Sequence, residues 1–336
     1  MFVDLPIPML FIKCFCRALV LVKSTSFLVY SRILELFPIG HSESVGKFDC
    51  MKTENIRKGP GLRGFCMAVA FALLALLGCI CMISCDSVFD VHPYDVHVDG
   101  DKNINASNIC KIEEATLSKY TFRFAVISDS HQWLSDLADE VNDINGRRDS
   151  IDFVVHLGDI TDFGATQEFQ WTREKLRKLK IPFVVLLGNH DCLGTGNQTY
   201  EVVFGTPDFS FIAGRVKFLC LNTNAIEYDY SRPVPNFDFI EEQCTADSLD
   251  FDRTVICMHA PPYSEQFNNN VAKVFNYYTH QMPGLMFCLY GHGHHTEQND
   301  IYGDGTMYYE VASASKRQYY IFTITPTDYS YEIISF

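Results

Sequence analysis

Apolar residues along this chain gather into short, nearly unbroken runs, each ending abruptly in polar residues. Runs at 122–128 (FRFAVIS), 152–158 (DFVVHLG) and 183–188 (FVVLLG) have strand length and almost no polar alternation. Strands of that kind are buried on both faces. Between the first two, Trp133, Leu137, Val141 and Ile144 recur at helical spacing as far as Gly146. Between the second and third, a helix capped by Thr166 carries Phe169, Leu176 and Leu179 and stops before Pro182. Strand-helix alternation predicts a mixed α/β fold with helices on both faces of a parallel or mixed sheet. Further strands are expected at 216–222, 254–259 and 285–290. The C-terminal runs at 307–314, 319–325 and 329–334, with a Gly-Asp-Gly turn at 303–305, read as antiparallel hairpins.

A different pattern occupies the front of the chain. Residues 65–84 form an uncharged run of twenty, preceded by Arg57, Lys58 and Arg63. That length spans a bilayer as a helix, and the basic flank stays cytoplasmic. The small residues before Cys79 and Cys85 resemble a lipoprotein signal, with Cys85 the preferred lipidation site because the polar chain begins directly after it. An uncleaved membrane anchor is the alternative. The apolar stretch 1–50 is read as a non-native extension, with translation starting at Met51. Residues 86–118 are read as a polar linker, and 119–336 as the folded domain. The protein is therefore expected to be exported and membrane-anchored.

Composition sharpens the division. With 336 residues, 47% of them apolar, the chain can build a substantial core. Residues 1–85 carry nine Lys/Arg against five Asp/Glu, whereas the remainder carries 18 against 36. So acidic a body disfavours a nucleic-acid polymer, which needs cationic phosphate contacts. It does not disfavour a small phosphate ester held at a metal, where the ion is the largest local charge. Seven of the 13 Cys lie in residues 1–85, and the other six form no CxxC pair, so no thiolate zinc site is expected.

The candidate chemistry sits at the ends of the apolar runs. The first ends in Asp129-Ser130-His131, the second in Gly158-Asp159-Ile160-Thr161-Asp162, and the third in Gly188-Asn189-His190-Asp191. Later come Met258-His259 and Gly291-His292-Gly293-His294. Asp129, Asp159 and Asn189 are each 30 residues apart, one strand-helix unit, which places them on one sheet edge. That carboxyl edge is where open α/β sheets bind ligands. Oxygen and imidazole donors suit Mn, Fe or Zn. Seven donors exceed one tetrahedral zinc and suit two divalent ions about 3.5–4 Å apart.

These five blocks, D-x-H, G-D-x-x-D, G-N-H-D, a lone H and G-H-x-H, resemble those of calcineurin-like metallophosphoesterases, in order over residues 122–295. The resemblance implies a four-layered α/β/β/α sandwich of two mixed sheets flanked by helices. It implies that Asp129, His131, Asp159 and His294 hold one metal and that Asp159, Asn189, His259 and His292 hold the other, with Asp159 bridging. A bridging hydroxide would then hydrolyse a phosphoester. His190 would protonate the leaving group, oriented by Asp162. The pairing of HAPP at 259–262 with GNHD is more similar to the phosphodiesterase branch than to the protein phosphatases. A phosphomonoesterase and a catalytically idle metal-binding scaffold are the alternatives. In the aromatic segment 226–239, Arg232 is the candidate phosphate contact, in competition with Arg215 and Arg253. Asp191 is expected to support its loop, His156 to be a satisfied core residue, and Trp133 to pack on its helix or border the pocket.

Overall fold

A computed structural model describes residues 67, 69–76, 92–228 and 233–336. The chain divides into two units, 1–77 and 78–336. In the first, residues 69–76 are helical with exposed side chains. Among the described residues no helix is long and apolar enough to cross a membrane. The expectations for residues 1–50, Cys85 and Arg232 fall outside the described residues, as does most of the 65–84 run.

The second unit contains two mixed sheets. The first has the order β11-β10-β1-β2-β3, built from β1 (Phe122–Ile127), β2 (Phe153–His156), β3 (Phe183–Val185), β10 (Gln318–Ile324) and β11 (Tyr329–Ser335). Strands β1, β2 and β3 are parallel, and the β10–β11 hairpin joins β1 antiparallel. The second sheet has the order β4-β5-β6-β7-β9-β8. Its strands are β4 (Phe209–Ala213), β5 (Val216–Leu221), β6 (Arg253–Met258), β7 (Leu285–Tyr290), β8 (Glu297–Asn299) and β9 (Met307–Glu310). The four central strands, β5, β6, β7 and β9, are parallel.

Side-chain alternation explains why the two sheets stack. Phe124 and Val126 on β1 point one way and join Phe153, Phe218, Val255, Phe287 and Phe322 in a core shared by both sheets. Ala125 and Ile127 point the other way, to Leu137, Val141 and Ile144 of α2 (Leu134–Gly146) and to Phe169 of α3 (Thr166–Leu176). The outer face of the second sheet buries Leu219, Ile256 and Cys288 against Ile240 of α5 (Phe237–Thr245) and Phe275 of α6 (Ala272–Thr279). The layering is helix, sheet, sheet, helix. Each of these fully buried Phe side chains contributes about 1.5–3 kcal/mol relative to exposure.

The structure corrects three expectations. Residues 104–116 do not belong to a linker but form α1 (Ile104–Thr116), packed beside edge strand β3. Asn105 donates to Val185 O at 2.8 Å and accepts from Val185 N at 3.0 Å, and Asn108 donates to Phe183 O at 2.8 Å. Two amide side chains thus take the place of a neighbouring strand and close the sheet edge. The C-terminal runs give two antiparallel hairpins, β8–β9 across the turn at 303–305 and β10–β11, but β9 lies in the second sheet, parallel with β7, and does not pair with 319–325. Ala165, not Thr166, precedes the first turn of α3, and its N–H is satisfied by the Glu168 carboxylate at 3.0 Å.

Candidate metal centre

The strands β1, β2, β3, β6 and β7 all end at one pole of the unit, and the chain turns sharply there. Asp129, His131, Asp159, His292 and His294 adopt φ between 41° and 73°, the left-handed region that non-glycine residues seldom occupy. Such strain persists only where surrounding structure enforces it, and it concentrates at functional sites. Here the turns are knitted to one another. Asp129 N donates to Gly158 O and His131 N to Asp159 O, both at 3.0 Å, and Gly291 N donates to His259 O at 3.1 Å. Gly188 is required by close approach, since a Cβ there would lie 2.1 Å from Asp159 N and 2.2 Å from Asp159 Oδ1.

These turns bring the expected residues into two clusters that share Asp159. One contains Asp129, His131, Asp159 and His294, the other Asp159, His259 and His292, with ligand atoms in each within 4.8 Å of one another. In the first, His294 Nε2 lies 3.3 Å from Asp129 Oδ1 and 3.3 Å from His131 Nε2. In the second, His259 Nε2 is 3.2 Å from Asp159 Oδ2. Asn189 Oδ1 joins this cluster, 3.1 Å from His259 Nε2 and 3.0 Å from His292 Nδ1. The shared Asp159 Oδ2 is also 3.5 Å from His131 Nε2.

The far sides of the rings decide what the near sides offer. His131 Nδ1 lies 3.1 Å from Thr161 O, and His259 Nδ1 lies 2.9 Å from Leu157 O. A carbonyl accepts only, so both Nδ1 atoms carry hydrogen and, in the neutral rings, both Nε2 atoms aim lone pairs at buried carboxylates. That arrangement repels itself unless a proton on Nε2 or a metal cation lies between. Acceptors converging on one partly buried pole, with the hydrogens of His131 and His259 held outward by backbone carbonyls, fit divalent metal ions.

The charges follow the same logic. Burial would raise the Asp159 carboxyl, but the charge and hydrogen bond of His259, with the charges of His131 and His190, hold it below the usual range. Burial likewise opposes ionisation of Asp129, and the hydrogen bond to His294 together with the His259 and His294 charges outweighs it. Burial lowers His131 and His292. Burial would also lower His259, yet the Asp159 charge and hydrogen bond, with the Asp129 charge and the Leu157 carbonyl, together raise it to about 9. Below pH 9, then, the metal-free His259 ring holds a proton that a metal must displace. Loading at pH 7.5 is expected to release about one proton per chain from His259, fading as pH rises past 9. Calorimetry in buffers of different ionisation enthalpy measures this, and metal uptake without proton release would contradict it.

His190 stands beside the clusters rather than in them. Its backbone N donates to Asp159 Oδ1 at 2.9 Å, and its ring makes an edge contact with His131 at 4.8 Å between centroids. The expected partner, Asp162, is present but used differently. His190 Nδ1 donates to the Asp162 carbonyl oxygen at 2.8 Å, while the Asp162 carboxylate lies 3.2 Å from His131 Nδ1. The turn at Asp162 directs its carbonyl to His190 and its charge to a candidate ligand.

The other expected residues fall into place physically. Asp191 is fully buried and accepts from Gly188 N, Thr161 N and Thr161 Oγ1 at 2.8–2.9 Å, which ties the second and third turns together. Burial and the neighbouring Asp159 charge raise it to about 7. His156 is buried with both ring nitrogens partnered, by Ser130 Oγ and Gly158 N, and burial lowers it to about 3. Trp133 borders the site, with edge contacts to His131 at 5.4 Å and His294 at 5.8 Å. Two features were not anticipated. Asn222, Thr223 and Asn224 end β5 at the same pole, where Asn224 Nδ2 donates to Leu187 O and Thr223 Oγ1 accepts from Ala260 N. The polar break after FLCL carries the same signal as the other strand ends. Glu265 Oε1 lies 2.9 Å from His292 Nε2, and no spacing pattern in the sequence points to it.

Comparison with known proteins agrees with this arrangement. Residues 122–296 match the family described as calcineurin-like phosphoesterase. The chain is 43% identical over 54 residues to the glycerophosphodiester phosphodiesterase GpdQ of Enterobacter lignolyticus, covering 16% of this chain and 19% of that enzyme. It is 25% identical over 118 residues to a 3',5'-cyclic-nucleotide phosphodiesterase of Nostoc, covering 35% of this chain and 44% of that one. The match thus spans less than half the length of either relative. In fold, the chain superposes on a yellow lupin purple acid phosphatase with TM-score 0.51 at 14% identity, over 64% of this chain and 51% of that one. It also superposes on Plasmodium GAP50, an anchor in the inner membrane complex, with TM-score 0.50 at 14% identity, over 65% and 85%.

Proposed function

The chain belongs to the calcineurin-like phosphoesterase family and is a metallophosphoesterase, and from that premise we propose that it hydrolyses a small phosphodiester with two divalent ions. The observation that carries the proposal is the pair of donor clusters sharing Asp159. Asp129, His131, Asp159 and His294 would hold one ion, and Asp159, Asn189, His259 and His292 the other. When bound, the ions acidify water and neutralise phosphoryl charge. The donor set, without a thiolate, suits Mn, Fe or Zn.

The chain's own residues supply the rest. Hydrolysis adds water across a P–O bond, so the departing oxygen must gain a proton. With Nδ1–H held by the Asp162 carbonyl, a protonated His190 has only Nε2–H to give, and that atom is the proton donor. The water's lost proton restores it in the next turnover. Asp191, by fixing the Gly188 and Thr161 amides, keeps the His190 turn in place.

Preference for a diester is supported by the two relatives named as phosphodiesterases. Room for a second ester group is supported by a cavity of about 490 Å³ beside His292, lined by Tyr263, Asn299 and Glu310. The acidic body supports a small ester over a nucleic-acid polymer. Export and anchoring through residues 65–84 belong to the same proposal, with intact-mass analysis of the mature N-terminus as their check.

The test compares initial rates of the Mn²⁺-loaded chain on bis(p-nitrophenyl) phosphate and p-nitrophenyl phosphate. The diester is expected to be cleaved faster, and Asn189→Ala to lower that rate by at least about 10²-fold, since loss of a ligand should cost no less than loss of a ligand's partner. Faster monoester cleavage would replace the proposal with a phosphomonoesterase. Metal uptake without cleavage of either would favour an idle scaffold.

A further inference from the structure

Three of the four candidate imidazole ligands have a known hold on the nitrogen that faces away from the other donors. For His131 and His259 the holding groups are buried backbone carbonyls, set by the fold itself. For His292 the relation is inverted. Its Nδ1 faces Asn189 Oδ1 at 3.0 Å, and its Nε2 faces outward to Glu265 Oε1 at 2.9 Å. Nothing else among the described residues is placed at that nitrogen. A carboxylate accepts only, so it selects the tautomer with hydrogen on Nε2 and the lone pair on Nδ1, toward Asn189 and the shared site.

The loop that delivers Glu265 is built rather than incidental. Tyr263 adopts φ 71°, an outlier for so bulky a residue. Asn269 straddles the turn, accepting from Tyr263 N and donating to Ser264 O, both at 2.8 Å. Beyond Glu265, Gln266 O accepts from Ala225 N at 2.9 Å, and Phe267 is buried against Phe275. The chain is therefore pinned on both sides of one exposed carboxylate, whose position is defined by its neighbours.

We propose that Glu265 is a positioning residue that fixes the His292 tautomer and orientation and so sets the affinity of the second metal position. The inference rests on the two-ion reading above, because it takes His292 as a ligand. It assigns Glu265 no contact with substrate and no proton transfer. The Glu265 side chain is 75% exposed, so water screens its charge and competes for its hydrogen bond. The effect therefore belongs at the weak end of the 10–100-fold range for partners of metal-bound histidines.

The test is the Mn²⁺ binding isotherm of the metal-free full chain, for wild type, Glu265→Ala and Glu265→Gln, with thermal unfolding of each metal-free protein as the folding control. Glu265→Ala is expected to weaken one of two binding events about tenfold and leave the other unchanged. Glu265→Gln keeps an oxygen acceptor for Nε2–H and is expected to stay within about threefold of wild type. Two wild-type events with both unaltered in Glu265→Ala would overturn the inference, as would equal weakening of both. A single event in the wild type would overturn the two-ion reading itself and the inference with it.

Discussion

Asp159→Asn is expected to lose at least one metal ion and to lower kcat/KM by about 10³-fold or more. Asp159 is the residue common to both clusters, with Oδ2 at 3.2 Å from His259 Nε2 and 3.5 Å from His131 Nε2. An amide keeps the size and can still accept the His190 N–H through Oδ1, which now receives it at 2.9 Å. Asn also tolerates the φ of 54° at this position better than most residues do. What it loses is the negative charge between the two positions. Charge stabilisation by bound ions is worth several kcal/mol, and each 1.36 kcal/mol is a factor of ten in rate. The metal-free variant should unfold earlier than wild type near pH 7, because it loses the Asp159 charge that pairs with the His259 and His131 rings and that outweighs the repulsion from Asp129. Metal analysis beside the rate is the check, and wild-type metal content with wild-type turnover would remove Asp159 from the bridging role.

His190→Ala is expected to bind metal as wild type does and to lower kcat by about 10²–10⁴-fold. The separation is possible because His190 contributes its backbone N–H to Asp159 and its ring to Asp162 O, leaving both donor clusters whole. The loss should be larger for an alkyl ester, whose alkoxide needs a proton, than for a p-nitrophenyl ester, whose leaving group is stable as an anion. Equal losses on both would mean that His190 stabilises charge without giving a proton. Asp162→Ala should leave the His190 contact in place, since a carbonyl oxygen makes it, and should act through His131 instead.

What was legible in the sequence was the sheet edge. The strands β1, β2, β3, β6 and β7 are buried on both faces, so each announces itself as an apolar run, and a polar residue directly after such a run has nowhere to lie except the pole. That is why Asp129, Asp159 and Asn189 could be placed by spacing and His259, His292 and His294 by their position after an apolar run, with their ligand roles implied by the family resemblance. The strand β8 could not, because Glu297, Gln298 and Asn299 are all exposed and carry no apolar signal. Helix α1 was hidden for the opposite reason. Its buried positions include Asn105 and Asn108, polar residues chosen to bond a strand edge, and hydropathy counts them as surface. Burial also makes Asn105 an implausible glycan acceptor despite its Asn-Ala-Ser triplet. The partition of strands between sheets is a matter of long-range pairing, so β9 read with the C-terminal strands β10 and β11 while it lies in the other sheet between β7 and β8. Glu265 and the carbonyl role of Asp162 are single contacts between distant loops, and local pattern does not encode them.

The central claim, that two ions held around Asp159 make this chain a phosphodiesterase, is met most directly by titrating the metal-free protein with Mn²⁺ while following bis(p-nitrophenyl) phosphate cleavage. The rate is expected to climb with added metal and to reach its plateau at two equivalents per chain. A plateau at one equivalent, or cleavage that does not depend on metal, would contradict it.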